Sequence, residues 1–296
     1  MGFVTSATLL ESGNTRVKAG RYGLMAFNLH DTFVGRSIDH YGEWSPDDAR
    51  LLASYLEPGM TIVDVGANIG AHTVFFAKVA GPAGEVLAFE PVRTTFHLLC
   101  CNLALNDLAN VRAIAAGAGS ERGLAVASRI DPARLGNFGA AVLSPDGAGE
   151  EVTLIPIDEL CLSACHLIKI DVEGMEEAVI AGAASAIAKF RPILYVENEE
   201  PQKSPALLRR LFTLGYRMYW HSPPLFDPDN FYANPVDVFP GLGSLNLLCL
   251  PPGHAATVRD LVPVAHPEEW PAWWPDWSAQ PPRVGRTQEA PRCTAE

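Results

Sequence analysis

Three acid-bearing segments dominate the chemistry this sequence can do. The first, Thr61-Ile62-Val63-Asp64-Val65-Gly66-Ala67-Asn68-Ile69-Gly70, reads as a buried strand and a glycine-bearing turn, and Ala71 to Ala80 reads as the helix that follows. The second, Ala88-Phe89-Glu90-Pro91, closes another strand with Glu90 twenty positions after Gly70. A carboxylate at that spacing, at the end of the second strand of a βαβ unit, can accept hydrogen bonds from both hydroxyls of a ribose. The pattern predicts a nucleoside site built around Asp64, Gly66, Asn68, Gly70, Thr73 and Glu90.

The turn also selects among nucleosides. Dinucleotide enzymes use G-x-G-x-x-G to seat a pyrophosphate on a helix N-terminus, whereas here the turn is G-A-N-I-G with Asp64 just ahead of it. An acid there would repel phosphate. It would suit the ammonium and sulfonium of S-adenosylmethionine, while the first amides of the helix, near His72 and Thr73, could hold that molecule's carboxylate.

The third segment runs from Leu167 through Lys169-Ile170-Asp171-Val172-Glu173-Gly174 to Ala183 and reads as an apolar strand, an acidic turn and a helix. Together the three segments resemble the FkbM family of S-adenosylmethionine-dependent methyltransferases. That family carries V-D-V-G-A-N-x-G, then F-E-P, then K-x-D-V-E-G-x-E-x-x-V-x-x-G-A, and the likeness covers roughly Trp44 to Glu200. The resemblance implies a class I methyltransferase fold, S-adenosylmethionine as donor, and transfer of a methyl group, usually to a hydroxyl oxygen. It also places Asp171 and Glu173 near the methionine part of the donor, and Asn137-Phe138-Gly139-Ala140 in the acceptor wall. One departure stands out. Where many class I enzymes have an acid for the adenine amino group, this chain reads Ala113-Ile114-Ala115-Ala116-Gly117-Ala118-Gly119-Ser120.

A sulfonium is already activated, so such an enzyme has mainly to align the acceptor and take up its proton. Asp171, at a strand end beside the switch point of the sheet, is the first candidate base; Glu173 is the second, with Glu176 behind it. Either Asp171 or Glu173 could instead cap the helix near Met175. Ile193 to Val196 then leads into Glu197-Asn198-Glu199-Glu200. Asp171, Glu197 and Asn198 on adjacent strand ends form a weak magnesium candidate, with Glu197 bound to backbone amides or to Arg93 as the alternative.

The elements that must position these groups alternate: strand 62–65, helix 71–80, strand 85–89, helix 93–106, strand 111–114, strand 152–157, helix 158–161, strand 167–170, helix 175–188 and strand 192–197. This is an α/β pattern that predicts a doubly wound, mostly parallel Rossmann-like sheet. A helix over 205–214 and strands at 216–219 and 245–250 supply an antiparallel last hairpin. Ser45-Pro46-Asp47-Asp48 starts a helix ahead of the core. Three regions follow: an N-terminal extension of edge strands or a hairpin over 1–44, a methyltransferase domain over 45–252, and a Trp/Pro-rich tail over 253–296. The insert 221–243, with His221 and Asn230, is expected to close the acceptor pocket or to be a proline-stiffened surface loop. Trp270, Trp273, Trp274 and Trp277 should pack across the body or against a second copy in a homodimer, with disorder after Gln280.

Composition is consistent with one large core: 296 residues, 48% hydrophobic. A net charge of −12 and the lack of basic clusters argue against nucleic acid as partner, and the Asn-Pro-Pro-Tyr type motif of base methylation is missing. The acceptor is therefore expected to be a small hydroxylated molecule of saccharide or polyketide type. No export signal and no run of about twenty apolar residues is present, so a cytoplasmic protein away from the membrane is expected. Cys161-x-x-x-Cys165-His166 lacks a partner pair for zinc. Two other functions fit the same motifs: a donor-binding sensor or accessory subunit without turnover, and, more weakly, a dinucleotide-dependent oxidoreductase.

Overall fold

The computed structural model describes residues 7–146, 148–256, 258 and 260–274. Three antiparallel strands come first, β1 (Thr8–Ser12), β2 (Thr15–Gly20) and β3 (Gly23–Asn28), followed by helices α1 (Val34–Tyr41) and α2 (Pro46–Ala53). The βα core runs β4 (Thr61–Val65), α3 (Ala71–Ala80), β5 (Glu85–Phe89), α4 (Arg93–Leu105) and β6 (Val111–Ile114). Next come β7 (Gly117–Ala118), β8 (Gly123–Ser128), β9 (Leu143–Ser144) and β10 (Gly149–Ile155). The second half holds β11 (Leu167–Ile170), α5 (Glu176–Gly182), α6 (Ala184–Phe190), β12 (Ile193–Glu197), α7 (Ser204–Thr213), β13 (Arg217–His221), β14 (Asn246–Leu250) and β15 (Val262–Pro263).

The main sheet has the order β15-β13-β14-β12-β11-β4-β5-β6. Strands β12, β11, β4, β5 and β6 are parallel, and β14 and β13 return antiparallel. Period-two alternation sends the two faces into different cores. Val63, Val65, Ile168, Ile170 and Leu194 face α5, α6 and α7, whereas Ile62, Val86 and Ile193 face Leu52 of α2 and Phe75 and Phe76 of α3. Helices thus cover both faces, as the alternating pattern predicts for a doubly wound Rossmann-like sheet with an antiparallel end.

Three expectations change. The strand expected at 152–157 begins at Gly149 and belongs to a separate four-stranded sheet of order β7-β10-β8-β9, where β10 pairs with β8, an element that carries no strong signal of its own. The helix expected over 175–188 breaks at Ala183 (φ −110°, ψ 11°). Just before the break, Gly182 lies so close to the Gly119 carbonyl that a Cβ would sit 1.9 Å from its oxygen, so only glycine fits there. Of the two forms expected for the residues before the core, edge strands or a hairpin, the structure has consecutive hairpins in their own three-stranded sheet, not edges of the main one.

That small sheet is joined to the core by amides. Strand β3 pairs with β2 on one side, and on its other side Asn102 of α4 and Asn106 at the helix C-cap, one turn apart, act as a substitute strand. Asn102 Oδ1 accepts from Ala26 N at 2.6 Å and its Nδ2 donates to Ala26 O at 3.0 Å and Ile69 O at 2.7 Å. Asn106 makes the same exchange with Leu24, at 2.9 and 2.7 Å.

Trp270, Trp273 and Trp274 pack against the core beside α5, α6 and α7, and Trp220 donates its indole N–H to Glu269 Oε1 at 3.3 Å. Trp277 and the stretch after Gln280 lie outside the described residues. Among the described residues no helix is long and apolar enough to cross a membrane.

The double amide clamp makes Asn102 a test of how the extension is held. Asn102→Ala orphans Ala26 N, Ala26 O and Ile69 O, and with each buried orphan costing about 1–3 kcal/mol the protein should lose about 3 kcal/mol or more. A lowered urea midpoint at unchanged m-value is the expected result.

Candidate active site

The parallel register decides what lies at the centre of the sheet. Lys169 on β11 stands directly beside Asp64 on β4, both fully inside the protein. An ammonium buried there must be paired. Its Nζ lies 3.6 Å from Asp64 Oδ1 and donates to Asp171 Oδ2 at 2.9 Å. Burial alone would depress the Lys169 pKa, but Asp171 and Asp64 together raise it above its ordinary value, so the ammonium stays charged. Thr73 Oγ1 donates to Asp64 Oδ2 at 2.6 Å and ties α3 to the same group.

Above this floor a cleft opens at the carboxyl ends of β4, β5, β11 and β12. Gly66, Asn68, His72, Glu90, Asp171, Glu173, Glu197 and Glu199 line it. The turn after β4 is held by the next strand: Gly66 N and Ala67 N both donate to Phe89 O, at 3.1 and 2.9 Å. Gly66 has φ +78°, and a Cβ there would sit 1.8 Å from Asp171 O, so only glycine lets the turn pack on the end of β11.

Glu90 is fixed from three sides. Its Oε2 accepts from Asn68 N at 2.8 Å, and its Oε1 accepts from Val92 N at 2.9 Å and Thr95 Oγ1 at 2.8 Å. Burial raises its pKa, and the bonds to Thr95, Val92 and Asn68 oppose that rise. One carboxylate thus braces the β4 turn and the start of α4 while still facing the cleft, and Oε2 keeps a lone pair for a further donor.

The acids on the other side differ in protonation. Burial pushes Asp171 upward, but Lys169, by charge and by hydrogen bond, outweighs it and holds the carboxyl below its usual range. The Asp171 side chain is 42% exposed, so this ionised group is open to the cleft. Glu197 shares a hydrogen bond with Asp171, and burial together with the Asp171 charge drives its own pKa well above the carboxylate range. The two carboxyls therefore titrate together, with ionisation favoured on Asp171 and disfavoured on Glu197. Glu199 is raised to about 7 by burial, and its Oε1 accepts from Leu245 N at 3.1 Å.

The sequence-predicted residues separate into three groups. Gly66, Asn68, Glu90, Asp171, Glu173 and Glu197 converge on the cleft. Asp64 and Thr73 lie behind it, bonded to each other, and Gly70 caps α3 with its own packing against Leu99. Asn198 turns away: its Nδ2 donates to Ser204 Oγ at 2.9 Å. Among the described residues no three His, Cys, Asp or Glu side chains are grouped to hold a metal ion, and Arg93 pairs with Glu150 rather than Glu197. Glu176, the first residue of α5, accepts from Gly174 N through Oε1 at 3.0 Å and so braces the turn ahead of the helix. His166 accepts from Thr61 N through Nδ1, at 2.9 Å, and Cys161 and Cys165 are free thiols.

The outer wall comes from distant segments. Phe33 and Trp44 from the extension, Phe138 and Gly139 from the loop after β8, Leu225 and Gly243 from the insert, and Ser244 just after it all face the cleft. Phe138 is held through Asp31, which accepts from its backbone N–H at 3.4 Å. The rest of the insert is bolted down. Arg50 bridges Asp47 and Asp227, Glu43 holds Arg21 and accepts from Phe231 N at 2.6 Å, and Tyr232 donates to Ala19 O at 2.6 Å. Asn230 bonds only within the insert, to Asp227 O and Asn234.

Lys169, Glu199 and His72 are cleft residues that sequence reasoning did not assign, and beneath them lies an unforeseen buried group. The Tyr195 hydroxyl sits between Asp48 Oδ1 at 2.5 Å and His221 Nδ1 at 2.7 Å. Burial lifts Asp48 to about 7 and depresses His221 to about 3. Register between neighbouring strands would have placed Lys169 beside Asp64; nothing local marks Asp48, Tyr195 and His221 as partners.

Residues 64–218 match the model of the methyltransferase FkbM domain. Methyltransferase sdnD of Sordaria araneosa is 44% identical over 63 residues, which is 21% of this chain and 24% of that protein; the match spans about a quarter of the relative's length. The structure of methyltransferase FkbM from Methylobacillus flagellatus KT aligns over 67% of this chain and 50% of its own, at 18% identity and a TM-score of 0.42. A SAM-dependent O-methyltransferase from Thermotoga maritima aligns over 70% of this chain and 65% of its own, at 16% identity and a TM-score of 0.40. With more than half of its length in the matched domain, the chain belongs to the FkbM methyltransferase family.

Proposed function

We propose that this methyltransferase uses S-adenosylmethionine to methylate a hydroxyl oxygen of a small sugar-like or polyketide-like acceptor. The observation that carries the reading is the pairing of a braced carboxylate, Glu90, with an ionised one, Asp171, across a single cleft. The donor's fit rests on this chain's own atoms. Asn68 Oδ1 and His72 Nε2, both on cleft-lining residues, are buried without a hydrogen-bond partner among the described residues. Buried polar atoms left unpaired are costly, and a polar ligand would satisfy them.

When bound, S-adenosylmethionine supplies an activated methyl group. Glu90 would hold the ribose hydroxyls, since its free Oε2 lone pair faces the cleft beside Asn68. Asp171 would take the acceptor's proton, because Lys169 keeps it ionised while Glu197 and Glu199 carry raised pKa values. Glu173, raised by burial and by the Asp171 charge, stands beside it as the second carboxylate of that rim. Phe33, Trp44, Phe138 and Leu225 would shield the acceptor from water. Gly243 and Ser244, where the insert joins β14, would bound the acceptor end; the rest of the insert braces that wall.

Incubation with methyl-labelled S-adenosylmethionine and a panel of saccharide and polyketide-type alcohols should yield labelled ether products. S-adenosylhomocysteine binding without product across the panel would favour a donor-binding sensor instead. Glu90→Gln removes a charged acceptor and should weaken S-adenosylhomocysteine binding about 10- to 100-fold by calorimetry. Asp171→Asn should lower kcat by about 100-fold or more while methylthioadenosine, which lacks the amino-acid end, still binds. Unchanged kcat in that variant would remove Asp171 from the chemistry.

A further inference from the structure

Three side chains from three elements meet beneath the cleft: Asp48 from the first turn of α2, Tyr195 from β12 and His221 from the end of β13, all nearly closed to solvent. The Tyr195 hydroxyl is 2.5 Å from Asp48 Oδ1 and 2.7 Å from His221 Nδ1, so it is bonded on both sides. A hydroxyl carries one proton. It donates to one neighbour and must accept from the other.

Proton counting then couples the two ends. An ionised Asp48 can only accept, so Tyr195 donates to it and His221 must be the tautomer with its proton on Nδ1. A protonated Asp48 can donate from Oδ1 to Tyr195, which then donates to a bare Nδ1 while the imidazole proton sits on Nε2. The other carboxyl oxygen, Oδ2, is 4.0 Å from His72 Nε2, beyond hydrogen-bond reach, so Tyr195 is the close acceptor for that proton.

The charged groups around the three set when this happens. Lys169 of β11 is engaged by Asp64 and Asp171, and Arg50 of α2 by Asp47 and Asp227. Burial lifts Asp48 to about 7 against the pull of Tyr195, Ser45 and Lys169, and the Asp171 charge adds to the rise. Burial, with Arg50 beside it, holds His221 down to about 3, so its two states are tautomers of a neutral ring. Burial and Asp48 raise Tyr195 well above its ordinary value, so the hydroxyl keeps a proton throughout.

We propose that Asp48, Tyr195 and His221 form a proton-coupled switch between the cleft wall and the root of the insert, in which loss of the Asp48 proton reverses both hydrogen bonds and turns His221 from its Nε2–H to its Nδ1–H tautomer. The protons balance. That of Asp48 passes to the Tyr195 oxygen, that of Tyr195 passes to Nδ1, and that on Nε2 leaves to water, so one negative charge remains on Asp48. One end of the switch lies beside His72 of the cleft wall, and Glu199 on the cleft rim feels the Asp48 charge. The other end starts the insert, where the next residue, Ser222, donates to Ser244 O at 2.9 Å and Ser244 lines the cleft. The switch does not depend on which donor or acceptor the cleft takes.

The test reads the ring nitrogens of the whole protein, labelled at histidine nitrogen, by long-range proton–nitrogen NMR between about pH 5 and 9. His221→Gln identifies the signals by their loss. His221 should stay neutral throughout, with its proton on Nε2 at the acid end and on Nδ1 at the alkaline end. In Asp48→Asn and in Tyr195→Phe the tautomer should no longer change with pH. A single tautomer over the whole range in the natural protein, an imidazolium at the acid end, or a change of tautomer that persists in both variants would each overturn the switch. Should Asp48→Asn not fold, the natural protein and Tyr195→Phe decide the question.

Discussion

A lysine ammonium buried in the middle of a parallel sheet sets the terms for the rest of the molecule. Lys169 can remain charged there only because β11 and β4 run in a register that puts Asp64 beside it and because Asp171 follows two residues later. The cluster costs desolvation free energy, which a sheet of purely apolar residues would avoid. Its effect is to leave three neighbouring carboxyls in different states. Asp64 lies behind the cleft against Lys169, Asp171 is held below its usual range at the cleft, and Glu197 beside it is driven well above its own.

The same economy governs how the outer wall is attached. Met25 and Phe27 of β3 pack on Ile69 and Val74, and polar groups complete the joint: the open edge of β3 is closed by the side-chain amides of Asn102 and Asn106, and Asn102 also reaches Ile69 of the β4 turn. The insert is tied to the same extension through Glu43, Arg21 and Tyr232, and to α2 through Arg50. Wall, insert and turn are thereby parts of one braced unit. The insert's contacts with the extension and α2 are polar and spread over several of its residues.

The βα core was legible because its signals are local. Apolar strands, a glycine turn that nothing else can occupy, and an acid at a strand end recur at intervals set by βαβ geometry, and β4, α3, β5 and β11 fall where that pattern put them. The cleft-facing positions of Glu90 and Asp171 could be read in the same way, from strand ends alone. What could not be read depends on partners far apart in the chain. Asp64 looks like a ligand group until Lys169 is seen beside it, Asn198 looks like a metal ligand until Ser204 takes its amide, and β8 becomes a strand only because β10 offers it an edge. Asp48, Tyr195 and His221 come from three separate elements and carry no motif.

The arrangement also bears on how an acidic cleft could serve a methyl transfer of the proposed kind. Moving a methyl group from a sulfonium to an alcohol discharges the cation and frees a proton, so the site must favour positive charge before the step and accept a proton during it. A row of fully ionised carboxylates would repel one another, and each would rise in pKa until some were neutral. Lys169 resolves that competition by choosing which one stays ionised. Because the ammonium is anchored to Asp171 by a bond of 2.9 Å and is out of reach of solvent, the choice is made by the fold, before any ligand arrives. Glu197 and Glu199, with pKa values raised by burial and by neighbouring carboxyl charge, stand on the same rim beside it.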